Sequence, residues 1–539
     1  MLRYKERVRR VLFIENHDSF SWNVIDALPF SRDEIEVVSA SEARAALDHA
    51  DVVVMGPGPT DPVRAGLIEL VHEVARRRLP FLGVCLGHQA LGLAFGAALI
   101  RSTPAHGKRA IAQFSGASRF PDGPLDVMRY HSLCLTGVTS PLKVVATLAD
   151  GTVMAIEHES LPMAGVQFHP DSFGTPRGRA LLAAFLEEGL IEMKTGHPST
   201  PRGVNGDGIP LRSSLKLSTL TDHFALLGPG FANHGAWTLL EELHEAEAGE
   251  TALWFAKAES KTPIRLAGRA TLVEPVFELT PSPLTVHLDE TGFLDGVQKI
   301  RAQIAAGDVY QVNLTLRAEL RGVDGAQLLT DLCRTQVPRF AAWVKAGALE
   351  LVSASPELLV ETSGRWIHVE PMKGTAAPAQ RAWLEASEKD RAELAMITDL
   401  LRDDLHRLCE PRSVHVRNAR RLIELPYVVQ AVADVEGELP EGTTLRQVLN
   451  VVHPGGSVTG APREAALQQI ARLELTPRGA YCGALGFESG GASRFALLIR
   501  TAERSGETWR FGVGSGITWD SDPRAELEEV RLKLGALNT

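Results

Sequence analysis

From Val11 to about Met193 the chain alternates short apolar runs with stretches of helical period. VLFI at 11–14, DVVVMG at 51–56 and PFLGVC at 80–85 read as buried strands. Helical period follows each, near Trp22 to Leu28, near Ala65 to Arg77, and again directly after Cys85. Unbroken apolar strands alternating with helices predict a doubly wound α/β domain with a mostly parallel sheet over residues 1–193. Residues 194–212 then lose all apolar period, and the Gly, Pro, Ser and Thr of KTGHPSTPRGVNGDGIP mark a linker. Beyond it the elements lengthen and mix. LELVSAS at 349–355 and RFALLIRTAE at 494–503 read as strands; Leu294–Ala306, Glu388–Arg407 and Pro462–Arg472 read as helices. A large α+β domain is therefore expected over 213–539, with its core at 291–539.

Composition sharpens this picture. A chain of 539 residues is too long for one ordinary core, and 44% hydrophobic with 23% charged residues describes a globular protein. The net charge of −10 argues against nucleic acid or an acidic membrane as partner. Any anionic substrate must be held by local positive groups. The cysteines at 85, 134, 333, 409 and 482 form no C-x-x-C pair, which fits a reducing compartment. The amino-terminal apolar run, Val11 to Ile14, is too short for a signal sequence, and Ala90 to Ile100 is too short for a membrane span. A cytoplasmic location is expected.

In PFLGVCLGHQALG the strand runs into Gly83-Val84-Cys85-Leu86-Gly87 and then a helix. Glycines two before and two after a nucleophile permit the tight turn that exposes it, and the helix start favours a thiolate. Downstream, His169 and Asp171 project to the same side if extended, which suits a base and the acid that orients it. The backbone amides of Gly58, in MGPGP, and Leu86 suit a developing oxyanion. VLFIENHDSFSWNV, GPGPTDP, GVCLGHQALG, RYHSL and GVQFHPDS, in this order, resemble the class I glutamine amidotransferases over nearly all of residues 11–190. The resemblance implies hydrolysis of L-glutamine through a Cys85 thioester, with Gln89 and the Ser132-Leu133 backbone holding the substrate. The family usually carries glutamate where this chain has Asp171.

GVGSGITWDSDPRAELEEVRLKL, 512–534, places Glu526 and Glu529 on one helix face, with Lys533 four residues on. That face suits a metal and an anion. With Arg500, Tyr481, PGGSVTGAPR at 454–463 and SEKDRAELAMITDLLRDDL at 387–405, it resembles the chorismate-utilising enzymes over about 291–539. The resemblance implies that Glu393 and Glu529 carry Mg²⁺, with Glu526 beside them. It also implies that Gln311, Gly374, Thr375, Tyr481, Arg500, Gly514, Ser515, Gly516 and Lys533 hold chorismate. Ala376, Arg463, Leu394 and Asp403 depart from the usual pattern, each expected near the site.

Gln311 stands where water-adding members resembling isochorismate or salicylate synthases carry a lysine, so ammonia is the expected nucleophile. Lys373, in VEPMKGTAAP, stands where anthranilate synthases have alanine and aminodeoxychorismate synthases have lysine. The chain thus resembles the fused aminodeoxychorismate synthases. The resemblance implies 4-amino-4-deoxychorismate for p-aminobenzoate and folate synthesis, with Lys373 a neutral nucleophile near Arg500 or the metal and a separate lyase acting next. Gln430 and the amidotransferase-first order lean the same way, and HFALLGPGFANHGAW shows no tryptophan feedback element. Anthranilate synthase and 2-amino-2-deoxyisochorismate synthase are the enzyme alternatives, and a chorismate sensor the non-enzymatic one.

Overall fold

The computed structural model describes residues 10–115, 120, 122–186, 211–216, 223–231, 237–246, 250–260, 262–276, 288–335, 338–424, 428–535 and 537. Most of the expected linker, 194–210, lies outside these residues, and Leu211–Lys216 is already a strand. Ile35–Ser39, Val11–Glu15, Val52–Met55, Phe81–Val84 and Met163–Val166 pair in parallel in that order. Their residues alternate between two apolar cores. Val11, Phe13, Val52 and Val54 pack on one side of the sheet, and Leu12, Ile14, Val53 and Met55 on the other. Helices cover both faces, so the inner strands are almost wholly buried, while Ile35–Ser39 at the edge is only partly so. The parallel pattern ends at Met163–Val166. Four antiparallel strands complete the sheet, among them the long hairpin Ala98–Phe114 with Gly123–Thr136, whose mixed composition hid it in the sequence.

The second domain is built on one eighteen-stranded sheet between Leu211 and Ile517. Strand Gln311–Leu320 runs antiparallel to Thr508–Ile517, with Asn313 opposite Gly516 and Thr315 opposite Gly514. RFALLIRTAE departs from the expected single strand. It forms Ala492–Leu497 and Thr501–Ser505, broken at Arg500, whose φ of 49° cannot continue a ladder.

Helix Glu388–Leu408 joins the domains. Ser387 caps it by accepting from the Asp390 amide, and every residue from Leu394 to His406 is buried. A helix apolar or paired on all sides must lie inside. One side packs on the second sheet and another on helix Ser21–Ala27 and the long hairpin of the first domain. Phe20, Met128 and Tyr130 share one continuous core with Tyr310, Met396 and Leu400.

Two residues expected beside the chorismate pocket serve this boundary instead. Asp403 accepts from the Trp22 and Asn23 amides at 2.6 and 3.3 Å, supplying the cap that helix Ser21–Ala27 lacks in its own sequence. The Arg463 amide donates to Ser19 Oγ at 2.8 Å, and its guanidinium pairs with Asp404. Both lie on elements facing the first domain, so sequence neighbourhood misplaced them. Asp403→Ala should lower stability by about 1–2 kcal/mol, the usual value of a cap. A denaturant midpoint measured on the whole chain tests this, and an Asp403→Asn variant should recover most of the loss.

Candidate active sites

Cys85 precedes helix Leu86–Ala94 with φ 52° and ψ −96°, a conformation that needs space on both sides. The flanking glycines supply it. A Cβ on Gly83 would lie 2.3 Å from the Gly87 carbonyl carbon, and one on Gly87 2.3 Å from the Met55 carbonyl oxygen. Gly58 lies against Leu86, where a Cβ would come within 2.7 Å of its side chain. His169 Nδ1 and Asp171 Oδ1 stand 3.3 Å apart, both inside the protein. That is ion-pair distance, although the angle leaves both groups short of a formed hydrogen bond. Burial pulls the imidazole down, but Asp171 and the Cys85 thiol outweigh it and hold His169 well above the usual histidine value. The arrangement favours an imidazolium beside sulfur. Gln89 donates to the Leu133 carbonyl at 3.1 Å, while Ser132 Oγ donates to Ile304 of the second domain at 2.7 Å.

The second domain reaches into this site. Asp399 accepts from Tyr130 Oη at 2.8 Å, from Ser172 Oγ, and from the Phe173 amide at 3.4 Å. Arg402, paired with Asp399 at 2.6 Å, donates to the Asp171 carbonyl at 3.1 Å. Tyr310 stacks between His106 and Phe20 at 4.8 and 5.9 Å, and its hydroxyl donates to Asp18 at 2.8 Å. Burial pushes Asp18 up to about 7, against the pull of His169 and the Tyr310 hydroxyl.

In the other site, the register of Met372–Ala376 against Val429–Glu438 slips between Met372 and Thr375. The bulge, with Gly374 at φ 84°, re-aims Lys373. Its Nζ donates to the Ser457 carbonyl at 3.3 Å. A Cβ on Gly516 would lie 3.1 Å from that Nζ and 2.5 Å from Gln311 Nε2, so both side chains meet over one glycine. Gln311 is fully buried with neither amide atom partnered. Ser457 Oγ donates to Glu357 at 2.7 Å, and burial pushes Glu357 up to about 7, against the pull of Ser457 and Lys373. Lys373 also acts electrostatically on Glu357 and on Glu393 and Glu529, two of the expected metal ligands. Arg500 is pulled below its usual value by burial alone, with no charged partner among the described residues to oppose it. Such a guanidinium is suited to an incoming carboxylate. Tyr481 packs on Gly512 under Arg317, 5.2 Å away. Thr375 is exposed.

Lys389 stands among the three expected metal ligands. Its Nζ is 3.3 Å from Glu526 and 3.8 Å from Glu393, and Ser515 Oγ also donates to Glu526. Burial pulls Lys389 down, but Glu393, Glu526 and Glu529 hold it above the usual lysine value. Glu529 pairs with Lys533 at 2.7 Å, and Lys533 donates to the Gly514 carbonyl at 2.8 Å. Glu393 Oε1 is buried without a hydrogen-bond partner, and the donor set is all carboxylate. That fits a hard cation such as Mg²⁺. Among the described residues, the tight cluster His368, Glu370 and Asp434 is instead neutralised by Arg339 and Arg421.

Residues 220–539 match the chorismate binding enzymes and residues 12–188 the class-I glutamine amidotransferases. The chain belongs to the chorismate-binding enzyme family. An aminodeoxychorismate synthase of Streptomyces griseus is 30% identical, covering 98% of this chain and 95% of its own. One from Streptomyces pristinaespiralis is 29% identical over 98% and 96%. Anthranilate synthase component 2 of Azospirillum brasilense is 38% identical over 33% of this chain and 94% of its own. The menaquinone-specific isochorismate synthase of Escherichia coli, 21% identical, shares the fold with a TM-score of 0.51 over 59% of this chain and 88% of its own.

In this chorismate-binding enzyme, several site residues escaped the sequence reading. Gln167, inside GVQFHPDS, donates to Cys85 Sγ at 3.5 Å, and Tyr130 offers that thiol its carbonyl at 3.8 Å. Glu357 is a lone acid between two buried strands, a signal that was available. Asp399 and Tyr310 left no local signal. A cavity of about 820 Å³, lined by His453, Leu475 and Arg478, contains none of the expected site residues. No helix among the described residues is long and apolar enough to cross a membrane.

Two outcomes are expected. Asp399→Asn should slow glutamate formation from glutamine by up to about a hundredfold, since it loosens the loop carrying His169 and Asp171; steady-state kinetics read this directly. Asp18 holds a proton when folded up to about pH 7, whereas the unfolded chain releases it near 3.8, so stability falls as pH rises through that window. Asp18→Asn should therefore match wild type near pH 4 and melt higher near pH 8 in thermal scans.

Proposed function

We propose that the chain is a bifunctional aminodeoxychorismate synthase. It hydrolyses glutamine in the first domain and uses the ammonia to aminate chorismate at C4 in the second, giving 4-amino-4-deoxychorismate. The observation that carries this reading is Lys373, lifted by its bulge into the pocket that holds Gln311 and Glu357. The relatives named aminodeoxychorismate synthase span both domains, which supports it.

Cys85 attacks the glutamine amide, losing its proton to His169, whose cation Asp171 stabilises. The amides of Gly58 and Leu86 hold the oxyanion, and Gln89 with Ser132 and Leu133 holds the substrate. His169 returns the proton to departing ammonia, and water then releases glutamate from the thioester. In the second site Arg500, Tyr481, Thr375, Lys533 and the backbone of Gly514, Ser515 and Gly516 hold the carboxylates of chorismate. Mg²⁺, held by Glu393 and Glu529 with Glu526 beside them, would supply charge neutralisation at the ring carboxylate. Lys373, as the free amine, adds at C2 while Glu357 protonates the departing C4 hydroxyl. Ammonia near Gln311 then attacks C4, and the C2–N bond breaks to return the lysine. Pyruvate elimination is left to a separate lyase, and the whole sequence belongs in the cytoplasm.

Incubation with chorismate, glutamine and Mg²⁺, with products resolved by mass, tests the reading. The 4-amino compound is expected; anthranilate as the main product would overturn it. Lys373→Ala should abolish 4-amination while glutamate formation continues.

A further inference from the structure

Leu133 turns a backbone carbonyl towards Gln89, and a carbonyl can only accept, so the Gln89 atom 3.1 Å from it is the amide nitrogen. That nitrogen also stands 3.2 Å from the Gln167 side chain, whose facing atom must then be its oxygen. The other end of the Gln167 amide, the nitrogen, faces Cys85 Sγ at 3.5 Å. One carbonyl thus fixes the direction of two buried amides in series, and the series ends in an N–H aimed at sulfur. Gln167 is fully buried and held by the main chain. Its backbone amide donates to the Met154 carbonyl at 2.8 Å, and the preceding carbonyl, that of Val166, accepts from the Cys85 amide at 2.8 Å.

The direction matters at both ends. A thiol can donate to the Tyr130 carbonyl, 3.8 Å away, but a thiolate can only accept. A donor on the other side of the sulfur therefore favours the charged form, on which attack at an amide depends. At the far end both N–H groups of Gln89 are engaged, one on Leu133 and one on Gln167, so Gln89 has only its carbonyl oxygen to offer a substrate. Gln167 lies two residues before His169, and both side chains address the same sulfur from one short segment.

We propose that Gln167 is a catalytic residue of glutamine hydrolysis: its N–H holds the sulfur of Cys85 as thiolate, and its carbonyl turns Gln89 so that an acceptor alone meets the donor groups of L-glutamine. The inference rests on the reading of the first domain as one that hydrolyses glutamine. No proton passes through Gln167. Sγ bonds to the amide carbon, the thiol proton goes to His169 and leaves with ammonia as the C–N bond breaks, and water then cleaves the C–S bond to give glutamate and the thiol.

Two substitutions in the full chain separate the two ends. Gln167→Glu keeps an acceptor for Gln89 but, when ionised, has no hydrogen for sulfur; Gln167→Leu removes both. In steady-state glutamate formation from glutamine, kcat should fall roughly ten- to a hundredfold in both variants, the value of one hydrogen bond to a charged group. KM should stay at the wild-type value in Gln167→Glu and rise roughly fivefold in Gln167→Leu, the value of one neutral hydrogen bond. Gln167→Glu should also regain kcat relative to wild type as pH falls, because a protonated carboxyl donates again. Thermal scans report folding, and should Gln167→Leu fail to fold, the kcat of Gln167→Glu and its recovery with falling pH decide alone. Wild-type kcat in a folded variant, an equal KM in the two, or no recovery of Gln167→Glu would overturn the proposal. A wild type that forms no glutamate from glutamine would fail the functional reading instead.

Discussion

The buried carboxylate of Asp399 ties the molecule together. It lies on a helix of the second domain, yet Tyr130, Ser172 and Phe173 of the first converge on it, and Arg402 balances its charge. A buried charge stripped of its partners is costly, so the domains cannot slide apart locally without penalty. The same helix carries Glu393 six residues earlier, about 9 Å along its axis. One rigid rod therefore presents a metal-type ligand to one site and grips the loop of His169 and Asp171 in the other. Displacement at either end is felt at both.

Charge is arranged locally against the chain's overall sign. The protein carries a net −10, yet the candidate site of the second domain offers Arg500, Lys373 and Lys533. Three carboxylates face them, and Lys389 stands among these as a tethered counter-charge. Attraction for an anion and attraction for a cation are thereby held side by side. Burial pushes Glu357 and Glu393 up to about 7, which limits the repulsion such a crowd of acids would otherwise generate.

The elbow at Cys85 was legible because its cause is local: two glycines, spaced around one residue, create room that their own neighbours would otherwise fill. The parallel half of the first sheet was legible for a similar reason, since strands covered on both faces show as unbroken apolar runs. The long hairpin was not, because its exposed positions interrupt any such run. Arg500 broke an expected strand, since nothing in a string of apolar residues announces one positive φ. Asp403 and Arg463 were misplaced because motif neighbours in sequence can face different domains.

By itself, then, the sequence determined the fold class and singled out a candidate nucleophile, its candidate base, the lysine and the carboxylates, because each is written in residue type at short spacing. Tertiary structure alone decided how the two sites address one another. Tyr310 meets Asp18 across 292 positions and Tyr130 meets Asp399 across 269. Such contacts arise from the packing of one folded surface on another, and no local pattern of hydrophobicity or propensity encodes which side chains that packing will bring together.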